Sequence, residues 1–350
     1  MDIYVLNSSF EKIGIIDYCH SIIWTRRYCA TGDFELYLPA TKDALELLVD
    51  GNIIMRSDDQ TSLMVIESIS LNTDAENGNY LTVTGPSIEC YIEKRIVWVQ
   101  TNLNGPVENC VTQLLNENVI TPSLPARKIN NIQIGTICNC GISIKKQITG
   151  TNLLDAIIDM LNTYKLGFNL TFEKTVLKFN IYQGTDRSYS QNINPYVTFS
   201  PEFDNILSSQ YQASSENFRN VALVAGEGQG VSRKTYIVGS ASGLNRDEIY
   251  VDAREISSNT DGGTLTPDEY NALLAEKGNE ILAESIATES FEGNIEANTN
   301  YIFNRDYFLG DIVNIENEYG MTTIVRITEV IESWEENGYN CIPTFSAEEV

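Results

Sequence analysis

The chain has 350 residues, 42% of them hydrophobic and 20% charged, enough for two or three packed cores and too apolar for wholesale disorder. Its formal net charge of −25, from 23 basic and 48 acidic residues, argues against stable binding to nucleic-acid phosphates. No apolar run approaches the ~18 residues of a membrane-spanning helix, and Met1–Val5 reads as a strand rather than a secretion signal.

Strand signals dominate the first hundred residues. Residues Phe10–Asp17 and Ser21–Tyr28 read as strands, the second with Trp24, Arg26 and Tyr28 on one face. After the turn Ala30–Asp33, Phe34, Leu36 and Leu38 alternate with Glu35 and Tyr37, the period-two pattern of a half-buried strand that Pro39 closes. A short helix is predicted over Thr41–Val49, with Thr41 as N-cap and Gly51 just past its end. The character changes over 101–185. Helical spacing appears over Pro106–Val119 and Thr151–Lys165, followed by strands near Asn169–Phe172 and Val176–Tyr182, the pattern of a compact α+β insert. Strands return at Ile206–Ala213 and Arg219–Gly226. A polar excursion over 227–265 leads to Thr266-Pro267-Asp268-Glu269, a capping box that opens a helix with Tyr270, Leu273, Leu274 and Ile281 on one stripe.

Little catalytic chemistry can be built from these residues. The single histidine, His20, opens a strand without a clustered partner, which disfavours histidine-based triads and HExxH metal sites. Cys138 and Cys140 could supply half of a zinc site, but no second ligand pair lies nearby. The seven cysteines, an odd number scattered through strand-like context, read as reduced thiols of a protein made in a cytosol. Gly226-Glu227-Gly228-Gln229-Gly230 follows an apolar run. Its spacing is GxGxG, and the strand-like Thr235–Val238 stands where a phosphate loop needs a helix, so it reads as a connection. Acidic pairs such as Asp33 and Glu35 are expected by chance among 48 acids and specify no glycosidase cleft.

Two larger patterns carry more. The acidity is uneven: the first 200 residues hold 15 basic and 21 acidic residues, the remainder 8 and 27. There is also an internal echo. Gly51-Asn52-Ile53-Ile54 leads to Tyr80, and Gly310-Asp311-Ile312-Val313 leads to Tyr339, each over 29 residues, although the middle strand aligns only with a shift of about three. A tandem repeat of one small β-domain explains this best.

The segment from Trp24 to Pro39, with Tyr28, Gly32-Asp33-Phe34-Glu35-Leu36 and the closing proline, resembles the opening signature of siphophage tail-hub proteins, the baseplate hub or N-terminal tail-associated protein at the tail tip. Arg305-Asp306-Tyr307-Phe308-Leu309-Gly310-Asp311-Ile312-Val313 resembles that family's late DYxLGDxV element, and Asn220–Gly226, Tyr250–Arg254 and Arg326–Val330 match in position and type. The resemblance implies a β-dominated α+β subunit of two similar small β-barrel hub domains in tandem, forming a trimeric ring. Residues 1–100 would be the first barrel and 101–195 an α+β insert. Residues 196–350 would be the second barrel, with a helix-containing insertion at about 227–289. It implies a structural role without catalysis, cofactor or metal, joining a sixfold tail tube to a threefold spike or fibre. The acidity of the chain adds the expectation of an acidic channel for genome passage. Expected partners are two further copies in a homotrimer, the tail tube protein or a distal tail ring, and a central spike, tape measure or fibre protein. The expected location is the tip of a virion tail or tail-like particle, after synthesis in a host cytoplasm. Candidate interface or motif positions are Trp24, Tyr28, Gly32, Phe34, Leu36, Asp306, Tyr307, Gly310, Asp311 and Val313. The end at Val350 is read as leaving no attached lytic region. Two rivals remain: a carbohydrate- or receptor-binding tip module using Tyr301, Tyr307 and Tyr319, and, ranked below it, a peptidoglycan hydrolase.

Overall fold

A computed structural model describes residues 1–74, 78–206, 208–260, 263–294, 301–320, 322–335 and 338–347. The N-terminal part comprises β1 (Ile3–Leu6), β2 (Lys12–Ile16), β3 (Ser21–Arg27), β4 (Asp33–Pro39), α1 (Lys42–Leu47), β5 (Ile53–Arg56), β6 (Leu63–Val65), β7 (Ser68–Asp74), β8 (Gly78–Pro86) and the single turn α2 (Cys90–Glu93). The alternation read from the sequence is physical: Phe34, Leu36 and Leu38 of β4 point into a core with Trp24, Ile22, Leu81 and Val83, while Glu35 faces out. Thr41 caps α1 by accepting from the Ala44 N–H at 3.1 Å.

The middle unit comprises β9 (Thr101–Pro106), α3 (Val107–Leu115), β10 (Ile132–Ile137), β11 (Ser143–Ile148), α4 (Leu153–Thr163), β12 (Gly167–Glu173) and β13 (Val176–Tyr182). Its apolar stripes do not close a separate core. Val111, Leu114, Ile157, Leu161 and Phe179 share one cluster with Leu6, Ile53, Leu63 and Val65 of the N-terminal part.

The remainder comprises β14 (Thr198–Phe199), β15 (Ser208–Ser214), β16 (Val221–Ala225), β17 (Thr235–Val238), β18 (Glu248–Asp252), β19 (Asn259–Thr260), β20 (Gly263–Thr264), α5 (Pro267–Glu284), β21 (Thr288–Asn294), β22 (Ile312–Glu316), β23 (Thr322–Glu335) and β24 (Gly338–Ala347). The strand read from Ile206 begins at Ser208, and Leu207 lies outside the described residues. The capping box forms as read: the Glu269 N–H donates to Thr266 Oγ1, and the Thr266 N–H donates to the Glu269 carboxylate at 2.9 Å.

The strand at Val221–Ala225 lies outside the long sheet. It pairs with β17 and β18, and α5 covers its core face through Ala222, Val224 and Leu274. Because β15 pairs with β21, this small unit is threaded between two neighbouring strands. It docks on the middle unit through polar contacts. Lys146 and Lys277 both bind the buried Glu280, Tyr164 donates to Glu276 at 2.7 Å, and Gln147 accepts from the Ser257 N–H at 2.9 Å.

The fold is β-dominated α+β, but the expected small barrels do not close. Among the described residues the strands form open sheets, the largest ordered β15-β21-β24-β23-β3-β4-β8-β7, with β14 and β22 attached beside β23. The reason is the seam. The N-terminal half of the 14-residue β23 pairs with β22, and its C-terminal half pairs along β3, Glu329↔Arg27 through Glu335↔Ser21. The edge of β3 that would close a barrel is therefore used to join two half-sheets.

Candidate functional site at the sheet seam

The two sequence motifs meet at this seam. Tyr28, buried at the end of β3, extends the pairing by donating its N–H to the Thr328 carbonyl at 2.9 Å. Its hydroxyl donates to the Lys165 carbonyl at 3.1 Å and accepts from the Gly184 N–H at 3.2 Å, tying the middle unit to both half-sheets. A Cβ at Gly310 would lie 2.2 Å from the Tyr28 ring, and φ there is +90°, so only glycine fits. Gly32 is needed for close approach: its N–H donates to Ser87 Oγ at 2.8 Å, and a Cβ would lie 2.3 Å from the Thr25 carbonyl oxygen.

Asp311, buried beside Gly310, accepts from the Thr185 N–H at 2.8 Å, from Arg187 Nε at 2.7 Å and from the Phe308 N–H at 3.0 Å. Asp306 closes the preceding turn by accepting from the Ile302 N–H at 2.8 Å. The Arg305 guanidinium beside it, with that backbone bond, holds its carboxyl below the usual range. Tyr307 packs 5.3 Å from Phe199 in the second half-sheet's core, with Val313. Trp24, Phe34 and Leu36 fill the first half-sheet's core. The structure thus brings Tyr28, Gly310 and Asp311 together and puts Trp24, Phe34, Leu36, Tyr307 and Val313 in the interior. The strands at Trp24–Tyr28 and Ile312–Glu316 each have neighbours on both sides within the chain.

An ion cluster with no local sequence signal lies under the seam. Arg56 ends an otherwise apolar strand, and its Nη1 sits 3.0 Å from Glu332 Oε2; Arg26 Nη2 lies 3.3 Å from the same oxygen. Asp58 and Asp59 each bind one of these arginines at 2.8 Å. Arg56 also stacks on Trp334, 4.0 Å from the ring centroid. Above the seam, on the opposite face, Arg27 bridges Asp33 and Glu329 at 2.6 Å each. A cleft of about 700 Å³ opens where β3, the middle unit and the 303–311 loop meet. One wall carries Glu89, whose carboxyl burial pushes upward and which accepts from the Leu170 N–H at 2.7 Å.

His20 sits among Tyr18, Tyr37 and Tyr80, with ring centroids 5.3–5.6 Å away. Among the described residues no three His, Cys, Asp or Glu side chains are grouped to hold a metal ion. Cys140 donates to Glu108 at 3.0 Å, and burial first, then Glu108, push its thiol up to about 11. Of the three tyrosines offered for sugar stacking, Tyr307 is core, Tyr301 packs against that core and Tyr319 is exposed.

A sequence profile described as Siphovirus ReqiPepy6 Gp37-like protein matches residues 2–345. The chain belongs to this siphovirus protein family. The family expected from the motifs around Trp24 and Gly310 is therefore of the right kind. No curated protein matches the sequence. Among solved structures, the fold is similar to a tail protein from Neisseria meningitidis MC58 at 12% identity, covering 99% of this chain and 96% of that one, with a TM-score of 0.62. It is equally similar to the 43 kDa tail protein of prophage MuSo2 from Shewanella oneidensis, at 12% identity, coverage of 99% and 98%, and TM-score 0.62. Prophage tail protein gp18 from Listeria monocytogenes EGD-e matches at 13% identity, coverage of 99% and 95%, and TM-score 0.59. The phage-tail fold thus spans essentially the whole chain. No helix among the described residues is long and apolar enough to cross a membrane.

Proposed function

We propose that this chain is a non-enzymatic ring subunit at the tip of a phage-type tail, and that three copies close the ring through the two free ends of the long sheet. The observation that carries this reading is a repeat within that sheet. Its strand path reads β15-β21-β24-β23 and then β3-β4-β8-β7. Backbone registers align the halves: Glu35↔Thr84 matches Glu292↔Thr344, Ile23↔Glu35 matches Gln210↔Glu292, and Ser68↔Thr84 matches Glu329↔Thr344. On this alignment β3 corresponds to β15 and β7 to Glu329–Glu335 of β23. Within the chain, β23 pairs with β3; their counterparts β7 and β15 are the two ends left over.

The same pairing between copies sets Leu71 against Tyr211, as Glu332 lies against Trp24 within the chain. Ile69 and Leu71, 39% and 49% exposed, lie opposite the core residues Val83 and Leu81, on the side that such a junction would bury. Closure removes two free edges per copy, which otherwise invite aggregation. Three eight-strand paths make a continuous sheet of twenty-four strands, sixfold in its repeats and threefold in its chains. That symmetry suits a tube protein or distal ring on one side and a spike, tape measure or fibre on the other. The division at 1–100, 101–195 and 196–350 belongs to the same reading, with one half-sheet per hub unit. The sheet face bearing Asp33, Glu35, Glu329 and Glu335 would line the channel, where screening confines repulsion of DNA phosphates to ~8–10 Å.

The test is a cysteine pair. Leu71→Cys with Tyr211→Cys, oxidised in the assembled state, should give covalent trimers on a denaturing gel, and either substitution alone should not. A protein that stays monomeric by light scattering at high micromolar concentration and cross-links no better than the single variants refutes the ring.

A further inference from the structure

An acidic protein can still carry a cationic docking surface. Arg95 and Arg127 meet at the end of the middle unit where α4 begins, with Lys94, whose ammonium lies 4.9 Å over the Tyr91 ring, and exposed Lys128 next to them in the chain. Arg95 Nε donates to the Arg127 carbonyl at 2.8 Å, and Arg127 Nη2 donates to the Ile96 carbonyl and, at 3.1 Å, to Asn118 Oδ1. The Arg127 guanidinium lies 4.8 Å from the Trp98 ring centroid. These bonds go to neutral oxygens, and among the described residues none of the four cations has a carboxylate within ion-pair distance. Burial and then Arg95 push the Arg127 guanidinium below its usual range, as two like charges without a counter-ion would. Trp98, 59% exposed, stands among exposed Ile96, Val99 and Leu124. Glu117, nearby in the chain, is already held by Thr101 and Gln113 at 3.1 and 2.8 Å.

A complementary feature lies at the other end of the chain. The turn after β22 reads Glu316-Asn317-Glu318-Tyr319, and Tyr319, 83% exposed, is the most exposed aromatic among the described residues. In the repeat this turn corresponds to the one after β5, where Asp58 and Asp59 bind Arg56 and Arg26. The counterpart of Arg26 in the second half-sheet is Ala213, so the second acidic turn has no equivalent arginine. Among the described residues neither Glu316 nor Glu318 has a cation within ion-pair distance. The cationic surface lies at the N-terminal end of α4, whereas Tyr28 and Gly167 lie past its other end. Eleven residues of helix separate them by roughly 16 Å, so the surface points away from the in-chain seam.

We infer that the Lys94–Trp98–Arg127–Lys128 surface receives the Glu316–Tyr319 turn of a second copy of this chain, pairing carboxylates with cations and Tyr319 with Trp98. The inference rests on the ring reading, because it needs neighbouring copies, and it adds a second, charged contact outside the strand junction. Both partners are exposed, so substitutions there should leave the fold intact, which circular dichroism and the melting temperature can check. The experiment is sedimentation velocity of the full chain over a concentration series at 50 and 300 mM salt. Lys128→Glu or Glu318→Lys alone should weaken self-association by about tenfold at low salt and little at high salt. The double swap Lys128→Glu with Glu318→Lys should recover most of it, and Trp98→Ala and Tyr319→Ala should be non-additive. If the single reversals leave association unchanged while Leu71→Pro abolishes it, this contact is wrong and the ring stands. If the unmodified chain never self-associates, both are wrong.

Discussion

The ion cluster beneath the seam gives the sharpest test of how the half-sheets are held. Glu332 is buried, receives Arg56 at 3.0 Å and Arg26 at 3.3 Å, and accepts from the Tyr339 hydroxyl at 3.1 Å. Glu332→Gln keeps the shape and removes the charge. Two guanidiniums then depend on Asp58 and Asp59, whose side chains are 48% and 22% exposed. Breaking a buried pair costs about 3–5 kcal/mol when a partner is stranded. Each arginine keeps one carboxylate, which places this change near the low end, about 3 kcal/mol. For a chain of this length the unfolding entropy at the midpoint is on the order of 0.7 kcal/mol/K, so Tm should fall by about 4 °C. Scanning calorimetry at pH 7 reads this directly. Arg56→Met with Glu332→Met should be less harmful than the sum of the single changes, since no buried charge is then stranded: Arg26 keeps Asp59, and Asp58, which loses Arg56, is half exposed to water. A fall of less than about 1 °C for Glu332→Gln, or strict additivity in the pair, refutes the claim that these charges hold the seam.

Three further outcomes follow from the same geometry. Burial first, then Glu280, push Asp159 up to about 6, so its contribution to docking α5 on α4 is complete below the ordinary carboxylate range and is lost as pH rises through about 6. Against burial, Lys146 and then Lys277 hold Glu280 low, so its contribution is lost only as pH falls through that lowered range. Asp159→Asn should therefore stabilise the protein at pH 8, by about 1 kcal/mol after discounting for its partial exposure, and not at pH 4, as thermal melts at the two pH values can check. Gly310→Ala should cost about 2 kcal/mol or more through its positive φ and the Tyr28 ring, whereas Tyr28→Phe, which strands the Gly184 N–H and the Lys165 carbonyl, should cost about 1–2 kcal/mol in urea titrations. Burial pushes Cys29 and Cys90 up to about 12, so a thiol reagent at pH 8 should leave them unreacted in native buffer and reach all seven cysteines in denaturant.

What the sequence made legible was local. Alternation in β4, the Thr41 cap and the Thr266 capping box depend on neighbours within a few residues, and all formed where expected. The motif positions were found, but their meaning was long-range. Tyr28 and Gly310 are 282 residues apart in the chain, and only the fold shows that the glycine exists to admit the ring. Arg56 carried no signal because its partner, Glu332, lies on a strand 276 residues away. The strand at Val221 was read as part of the second hub unit because a run such as VALVA announces burial, not which sheet supplies it. Barrel closure failed for the same reason, since alternation fixes the face of a strand but leaves its edge partners open.

The two copies of the echo that begins at Gly51 and Gly310 reach the long sheet differently. In the first copy the chain breaks after β6 before it resumes as β7. In the second the equivalent stretch is the single strand β23, with a register shift between Ile327 and Glu329. Each device lets one stretch serve two neighbours, β5 or β22 first and the long sheet second. The copies diverge again where they meet their neighbours. In the in-chain seam, Glu332 opposite Trp24 is neutralised by buried Arg56 and partly buried Arg26, a cluster that forms once as the chain folds. At the free edge the corresponding residue is Leu71. An edge that must stay soluble before it finds a partner cannot hold an unpaired charge ready for burial, because the desolvation penalty would fall on assembly. An apolar pair carries no such penalty and is nearly indifferent to salt. In the proposed ring, the strand junction between copies should therefore resist high salt, leaving the outer cationic contact as its salt-sensitive part.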